Sequence, residues 1–364
     1  MQRWLDRAGD ARLDRADFAD RPAGPPRPAN RTRPALEGRV LAIRKRLKEQ
    51  SDLGERGAAA ILREMQKLKI KSIPSLRTIG RILLRRGALD GRRRIRRNPP
   101  PPGWYLPDLA ARRVELDSID IVEGLVIRGR GGRRPVDVEV LNAISLHGGL
   151  AASWPRGGIT AKYTMDSLLQ HWRAAGLPAY AQFDNDRIFA GAHAHPDTIG
   201  RVIRLCLSLG VTPVFAPPRE TGFQAAIENY NGRWQAAVWA RFTHDSLQSV
   251  AGRSGRSVAA ARIRSAARIE SAPPRTPIPG GWKLDLQKLK GKIIFLRRTD
   301  ARGHVNLLGH DFCVSQTWIH RLVRAVVDLD RKEVRFHSLR RREPAWQPLV
   351  ATHPYEPPKR RFTE

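Results

Sequence analysis

The sequence predicts a chain of several domains: an all-α unit first, a mixed α/β core in the middle and a small β-barrel last. Three observations carry this. Between residues 35 and 98, apolar side chains recur at three- and four-residue steps. Over 113–245, strand-like and helix-like segments alternate. Over 283–352, short apolar runs are separated by turn residues. The 364 residues are enough for two or three such units, at about 100–150 residues each.

Formal charge is +31, from 66 Lys and Arg against 35 Asp and Glu. Codon usage can enrich Arg, but it would not leave acids so outnumbered. The excess points to nucleic acid, because each Lys or Arg set on a phosphate releases condensed counterions. Cys206 and Cys313 lie far apart in apolar contexts and read as buried free thiols of a reducing compartment. His193 and His195 have no Cys nearby and read as a loop feature, not as zinc ligands. No apolar run reaches spanning length and the N-terminus is charged. The expectation is therefore a cytoplasmic, nucleoid-associated protein with no membrane partner.

Residues 1–34 alternate Asp and Arg and then turn Pro-rich, which predicts an arm without a core. Leu36, Val40, Ile43 and Leu47 line a first helix; Ala58, Ile61, Leu62, Met65 and Leu68 line a second. Ser75 fits the N-cap of a third, which carries Leu76, Ile79, Ile82 and Leu83 and ends near Gly87. Residues 35–98 thus read as a helix-turn-helix DNA-binding domain. Its last helix presents Arg77, Arg81, Arg85 and Arg86, and the basic run continues through Arg92, Arg93, Arg94, Arg96 and Arg97. These arginines are the candidate DNA contacts. Prolines at 99–102 open a stiff linker over 99–112.

In the core, strands are expected at 114–127, 136–146 and 148–154, with a Gly- and Arg-rich turn at 128–135. A helix capped by Thr164 and stopped by Gly176 follows, then a strand at 178–183. Pro196 opens a helix stopped by Gly210, and a strand fills 211–216. A long helix is expected over 223–242, with Ile227, Tyr230, Trp234, Val238 and Phe242 inward. Residues 246–282 read as a linker with a helical stretch at about 258–269. The barrel follows over 283–352 and a basic tail over 353–364. Within the barrel, Trp318, Trp346 and the Lys290-Gly291-Lys292 run suit either packing or contact with DNA.

Three acids on separate elements stand out in so basic a chain: Asp117 on the first strand, Asp184 at a strand end and Glu228 in the first turns of the long helix. Metal-assisted phosphoryl transfer needs hard oxygen ligands that converge from different elements, commonly at strand ends. Asp120 competes with Asp117, since residues three apart lie on opposite faces of a strand. Glu220 competes with Glu228, but it sits in a Pro/Gly loop.

Asp184-Asn185 after a strand, Pro217-Pro218, and then Ile227-Glu228-Asn229-Tyr230-Asn231 resemble the Asp-Asp-Glu core of retroviral integrases and bacterial insertion-sequence transposases. The domain order is similar over roughly residues 36–350. The resemblance implies a ribonuclease-H-like core, with Asp117, Asp184 and Glu228 as catalytic residues and as ligands of Mg²⁺, for which Mn²⁺ substitutes. It implies double-stranded DNA as partner, both element ends and target, and a homo-oligomer that bridges two ends; the sequence leaves open an ATPase helper protein. Asp186 departs from the pattern where glycine is common, and the gap from Asp184 to Glu228 is longer than usual; Glu220 would give the shorter spacing. The zinc-binding N-terminal module of retroviral integrases is absent, which moves the likeness toward bacterial elements. Two other functions share these features: a non-catalytic DNA-binding regulator or targeting subunit descended from such an enzyme, and a nuclease of the same fold with no transfer step.

Overall fold

The computed structural model describes residues 32–89, 100–129, 134–191, 196–357 and 362, together with 6, 8, 9, 12 and 14. Most of the N-terminal arm, the Arg92–Arg97 run, His193, His195 and most of the tail lie outside the described residues. The chain divides into two compact units, 1–50 with 55–93, and 51–54 with 94–364.

The first unit is built on three helices: α1 (Pro34–Gln50), α2 (Ala58–Lys67) and α3 (Leu76–Arg85). Their apolar faces meet around Val40, Ile43, Ile61, Met65, Ile79, Ile82 and Leu83. The Ser75 hydroxyl accepts from the Thr78 N–H at 3.2 Å and so caps α3. Glu37 of α1 is 1% exposed and takes hydrogen bonds from Arg85 and, at 2.7 Å, from Arg86 Nε. Burial works to raise that carboxyl, but the two guanidinium groups hold it below its usual value.

The second unit is organised on one nine-stranded sheet. Its strands are β1 (Leu116–Ile127), β2 (Val136–Ser145), β3 (Ala151–Arg156), β4 (Tyr180–Phe183), β5 (Thr212–Phe215), β6 (Lys292–Arg298), β9 (Leu322–Asp328), β10 (Glu333–Ser338) and β11 (Leu349–Pro354). The order is β11-β10-β9-β6-β5-β4-β1-β2-β3. β1, β2 and β3 form an antiparallel meander, and β4 pairs parallel with β1, β5 with β4 and β6 with β5. A β3-β2-β1-β4-β5 order with helices between the later strands is compatible with a ribonuclease-H-like core. Helices α5 (Ala161–Ala175) and α7 (Arg201–Ser208) supply Leu168, Trp172, Val202, Ile203 and Cys206 to the larger core cluster, on the sheet face that carries Ile119, Ala181 and Phe183. The other face receives α8 (Ala225–Trp234), with Ile227, Tyr230 and Trp234 against Val122 and Val140.

Four expectations change. The small barrel over 283–352 does not stand apart: β6 pairs with β5, so β6, β9, β10 and β11 continue the core sheet edge to edge. Only β7 (His304–Leu307) and β8 (His310–Cys313) form a separate ladder among the described residues, and Val305, Leu307 and Phe312 join the same core. The expected linker at 246–282 is largely helix α9 (Leu247–Arg264), whose Val250 packs into the α8 cluster while Arg262 donates to the Ala151 carbonyl at 2.8 Å. The second half of the expected 99–112 linker is core, with Trp104, Tyr105, Leu106 and Leu109 all buried and α4 (Pro107–Ala110) among them. Cys313 is exposed, whereas Cys206 is buried.

The long helix also breaks its pattern. α8 gives way to a π-helical turn over Gln235–Trp239, and Trp234 donates its indole N–H to Ser254 at 2.9 Å.

Candidate active site

Strand alternation decides which acids can meet. Along β1, Asp117 and Ile119 point to one face of the sheet, and Ser118 and Asp120 to the other. Along β4 and the residue after it, Ala181 and Phe183 share the first face, and Gln182 and Asp184 the second. Ser118 lies opposite Gln182 in the parallel pair and donates to its side-chain oxygen at 3.2 Å. Asp120 lies opposite Asn142 in the antiparallel pair. The second face is the one α8 covers.

On α8, Glu228 and Asn231 stand three residues apart and share a side of the helix. Asn231 is buried. It donates to Asp120 Oδ2 at 2.7 Å and accepts from Asn142 Nδ2 at 2.8 Å. Glu228 is exposed in the first turn, where the helix N-terminus favours negative charge. Burial, reinforced by the charges of Asp184 and Glu228, lifts the Asp120 carboxyl to about 6, against the hydrogen bonds from the Ile121 backbone and Asn231. Asp184 is raised as well, first by burial; the Asp186 backbone N–H opposes this at 3.0 Å and the Asp186 charge adds to it. A cluster of this kind gains from any cation that neutralises it.

Asp117 is placed elsewhere. It is fully buried on the opposite face, where Arg275 holds it with two hydrogen bonds, one of 3.0 Å from Nη1, and the Trp172 indole donates at 2.9 Å. His171 Nε2 lies 3.8 Å away. Burial pushes that imidazole down to about 4, with Arg275 and Arg262 assisting and Asp117 opposing, so it is neutral near pH 7. Glu220 is also committed, to Arg298 and to Arg341 at 3.3 Å. Asp186 caps the short helix α6 (Arg187–Ala190) by accepting from the Ile188 N–H at 2.7 Å.

The frame around the acids is polar and largely hydrogen-bonded, although the Asn142 Oδ1 atom is buried without a partner. Asn185 donates to the Ala216 carbonyl at 2.8 Å and accepts from Arg297 at 2.7 Å, which ties the ends of β4, β5 and β6 together behind Asp184. Burial lowers the Arg297 guanidinium to about 10, so it stays charged at neutral pH. On the other side, Gln182 donates to the Tyr105 hydroxyl at 2.7 Å, and Tyr105 donates to the Phe223 carbonyl at 3.3 Å, just ahead of α8. Sequence reasoning missed Tyr105, Asn142 and Arg297. Only the Glu-x-x-Asn step on α8 and the Trp104-Tyr105-Leu106 cluster offered a signal.

The donor set is carboxylate oxygen, which suits a hard divalent cation. Among the described residues, no three His, Cys, Asp or Glu side chains are gathered closely enough to hold a metal ion between them. A Cβ at Gly232, one turn beyond Glu228, would meet no atom within 4 Å, so the helix is open there. Of the DNA-contact candidates, Arg77, Arg81, Arg85 and Arg86 are all exposed, and Arg85 and Arg86 also pair with Glu37. Among the described residues no helix is long and apolar enough to cross a membrane.

No protein-family model matches the chain, and no curated protein matches it. Solved structures do overlap with it. A cryo-electron-microscopy structure of the simian T-cell lymphotropic virus intasome in complex with PP2A regulatory subunit B56 gamma aligns over 74% of this chain and 84% of that one, at 13% identity and a TM-score of 0.35. The catalytic core domain of BIV integrase aligns over 39% of this chain and 80% of that one, at 16% identity and a TM-score of 0.29. Overlaps this loose assign no residue, and the site is read from this chain's own side chains.

Proposed function

We propose that the chain is a DNA transposase or integrase, cutting and joining DNA at Asp120, Asp184 and Glu228. The observation that carries the reading is placement: Asp120 and Asp184 lie on the sheet face that α8 covers, and α8 carries Glu228 and bonds Asp120 through Asn231 at 2.7 Å. The integrase-like order of motifs and the charge of +31 support it. Asp120 replaces Asp117 as the first acid, because Asp117 is spent on Arg275 across the sheet.

Mg²⁺ or Mn²⁺ would be held by Asp120 and Asp184, with Glu228 drawn in from α8 because the three carboxylates do not stand close enough to share an ion as they are, and would supply Lewis-acid stabilisation of an in-line displacement at phosphorus. The protein's own part is positional. Asn231 fixes the Asp120 carboxylate, the Asn185–Arg297 pair fixes the turn that carries Asp184, and Tyr105 fixes the approach to α8. The exposed arginines of α3 and the open surface at Gly232 suit a DNA backbone. Double-stranded element ends and target DNA would be the substrates, and a homo-oligomer would bridge the two ends.

The test is strand cleavage and transfer on the DNA that flanks the source locus. Asp120→Asn, Asp184→Asn and Glu228→Gln are expected to abolish joined products while DNA binding survives. Full activity in any of the three would overturn the assignment.

A further inference from the structure

Parallel pairing puts the carboxyl ends of β4, β5 and β6 at one edge of the sheet. β9 and β10 are antiparallel to their neighbours, so the start of β9, the end of β10 and the segment before β11 reach the same edge. Asp184 is at this edge, and so is a group of tryptophans and arginines outside the acid cluster. The Arg340 guanidinium lies 4.5 Å from the Trp346 ring centre and 5.1 Å from that of Trp318, and Arg321 covers Trp318 at 5.0 Å. Trp318 is anchored through its indole N–H to the Leu322 carbonyl at 3.1 Å. Trp346 is 50% exposed.

The surroundings are cationic. Arg341 reaches the Thr221 carbonyl at 2.8 Å, on the loop leading into α8, and Arg298 holds Glu220 on the same loop. Glu343 answers Arg340. Arg321 and Arg342 have no acidic partner among the described residues. A half-exposed indole beside arginines fits one chemistry well: a base stacks on the ring while its phosphates meet the cations. In a duplex the base faces are already covered by their neighbours, so a ring of this kind discriminates for unpaired strands.

We infer that Trp346, backed by Arg340 and Trp318, is a stacking platform for an unpaired nucleotide of the DNA strand led toward the acids. The position beside the acids rests on the function proposed above; the preference for single strands does not. The experiment uses the full-length protein in EDTA, so that no cleavage enters. Fluorescence anisotropy is read with a labelled oligothymidylate of about 15 nucleotides and with a duplex of equal length. Trp346→Ala is expected to weaken single-strand binding about tenfold or more, Trp346→Phe to recover most of that loss, and duplex affinity to stay within about twofold. Unchanged single-strand affinity in Trp346→Ala overturns the inference, and so does an equal loss for single strand and duplex. Because joining is not measured, an inactive site leaves this result untouched.

Discussion

Asn231 of α8 donates to Asp120 of β1 at 2.7 Å while accepting from Asn142 of β2 at 2.8 Å. One buried amide thus joins a helix to two strands and sets the carboxylate that faces Asp184 and Glu228. Asn231→Ala leaves Asn142 without its acceptor, and such an orphaned buried group costs about 1–3 kcal/mol. Urea unfolding should show a loss in that range, together with weaker divalent-metal binding from a carboxylate no longer held in place.

In the metal-free protein, Asp120 and Asp184 should contribute a loss of stability as pH rises through the window from about 4 to about 6. Asp120 and Asp184 are raised in the fold, so the folded state keeps protons that the unfolded chain releases. Asp120→Asn removes this penalty. At pH 7 it should stabilise the protein by about 1–2 kcal/mol, discounted for the partial exposure of the site. Denaturant curves at pH 5 and 7 measure both slopes.

Asp117→Asn should destabilise the second unit by about 3–5 kcal/mol, because it leaves the largely buried Arg275 guanidinium without its counter-charge. A double-mutant cycle with Arg275→Met reads the coupling directly.

In the first unit, the four arginines of α3 and its end should separate into two pairs. Removing Arg77 and Arg81 should leave folding intact and reduce the salt slope of DNA binding by about 2. Removing Arg85 and Arg86 should destabilise the helices by stranding Glu37. Glu37 is held below its usual value, so its contribution is present above pH about 4.3 and lost as pH falls through the lower folded value. Melting curves against pH detect this.

Much of the second unit was legible in the sequence because its strands and helices are apolar at the matching period. Ile227 beside Glu228 already marked a buried helix face next to an acid. The choice between Asp117 and Asp120 was not legible. Strand alternation puts them on opposite faces but does not say which face a later helix will cover, and Arg275 lies far along the chain in a segment that reads as linker. The barrel was misplaced for a similar reason. Period-two runs specify strands, but β6 pairing with β5 is a long-range contact that no local pattern encodes. The aromatic signal of Trp104 and Tyr105 was outweighed by the prolines before them, whose composition suggested a spacer.

Calorimetric titration of Mn²⁺ into the full-length protein tests the central claim most directly, that Asp120 and not Asp117 is the first acid. Wild type and a folded Asp117→Asn variant should bind with similar affinity, whereas Asp120→Asn and Asp184→Asn should lose binding. Wild-type affinity in Asp120→Asn, or its loss in folded Asp117→Asn, would contradict the assignment.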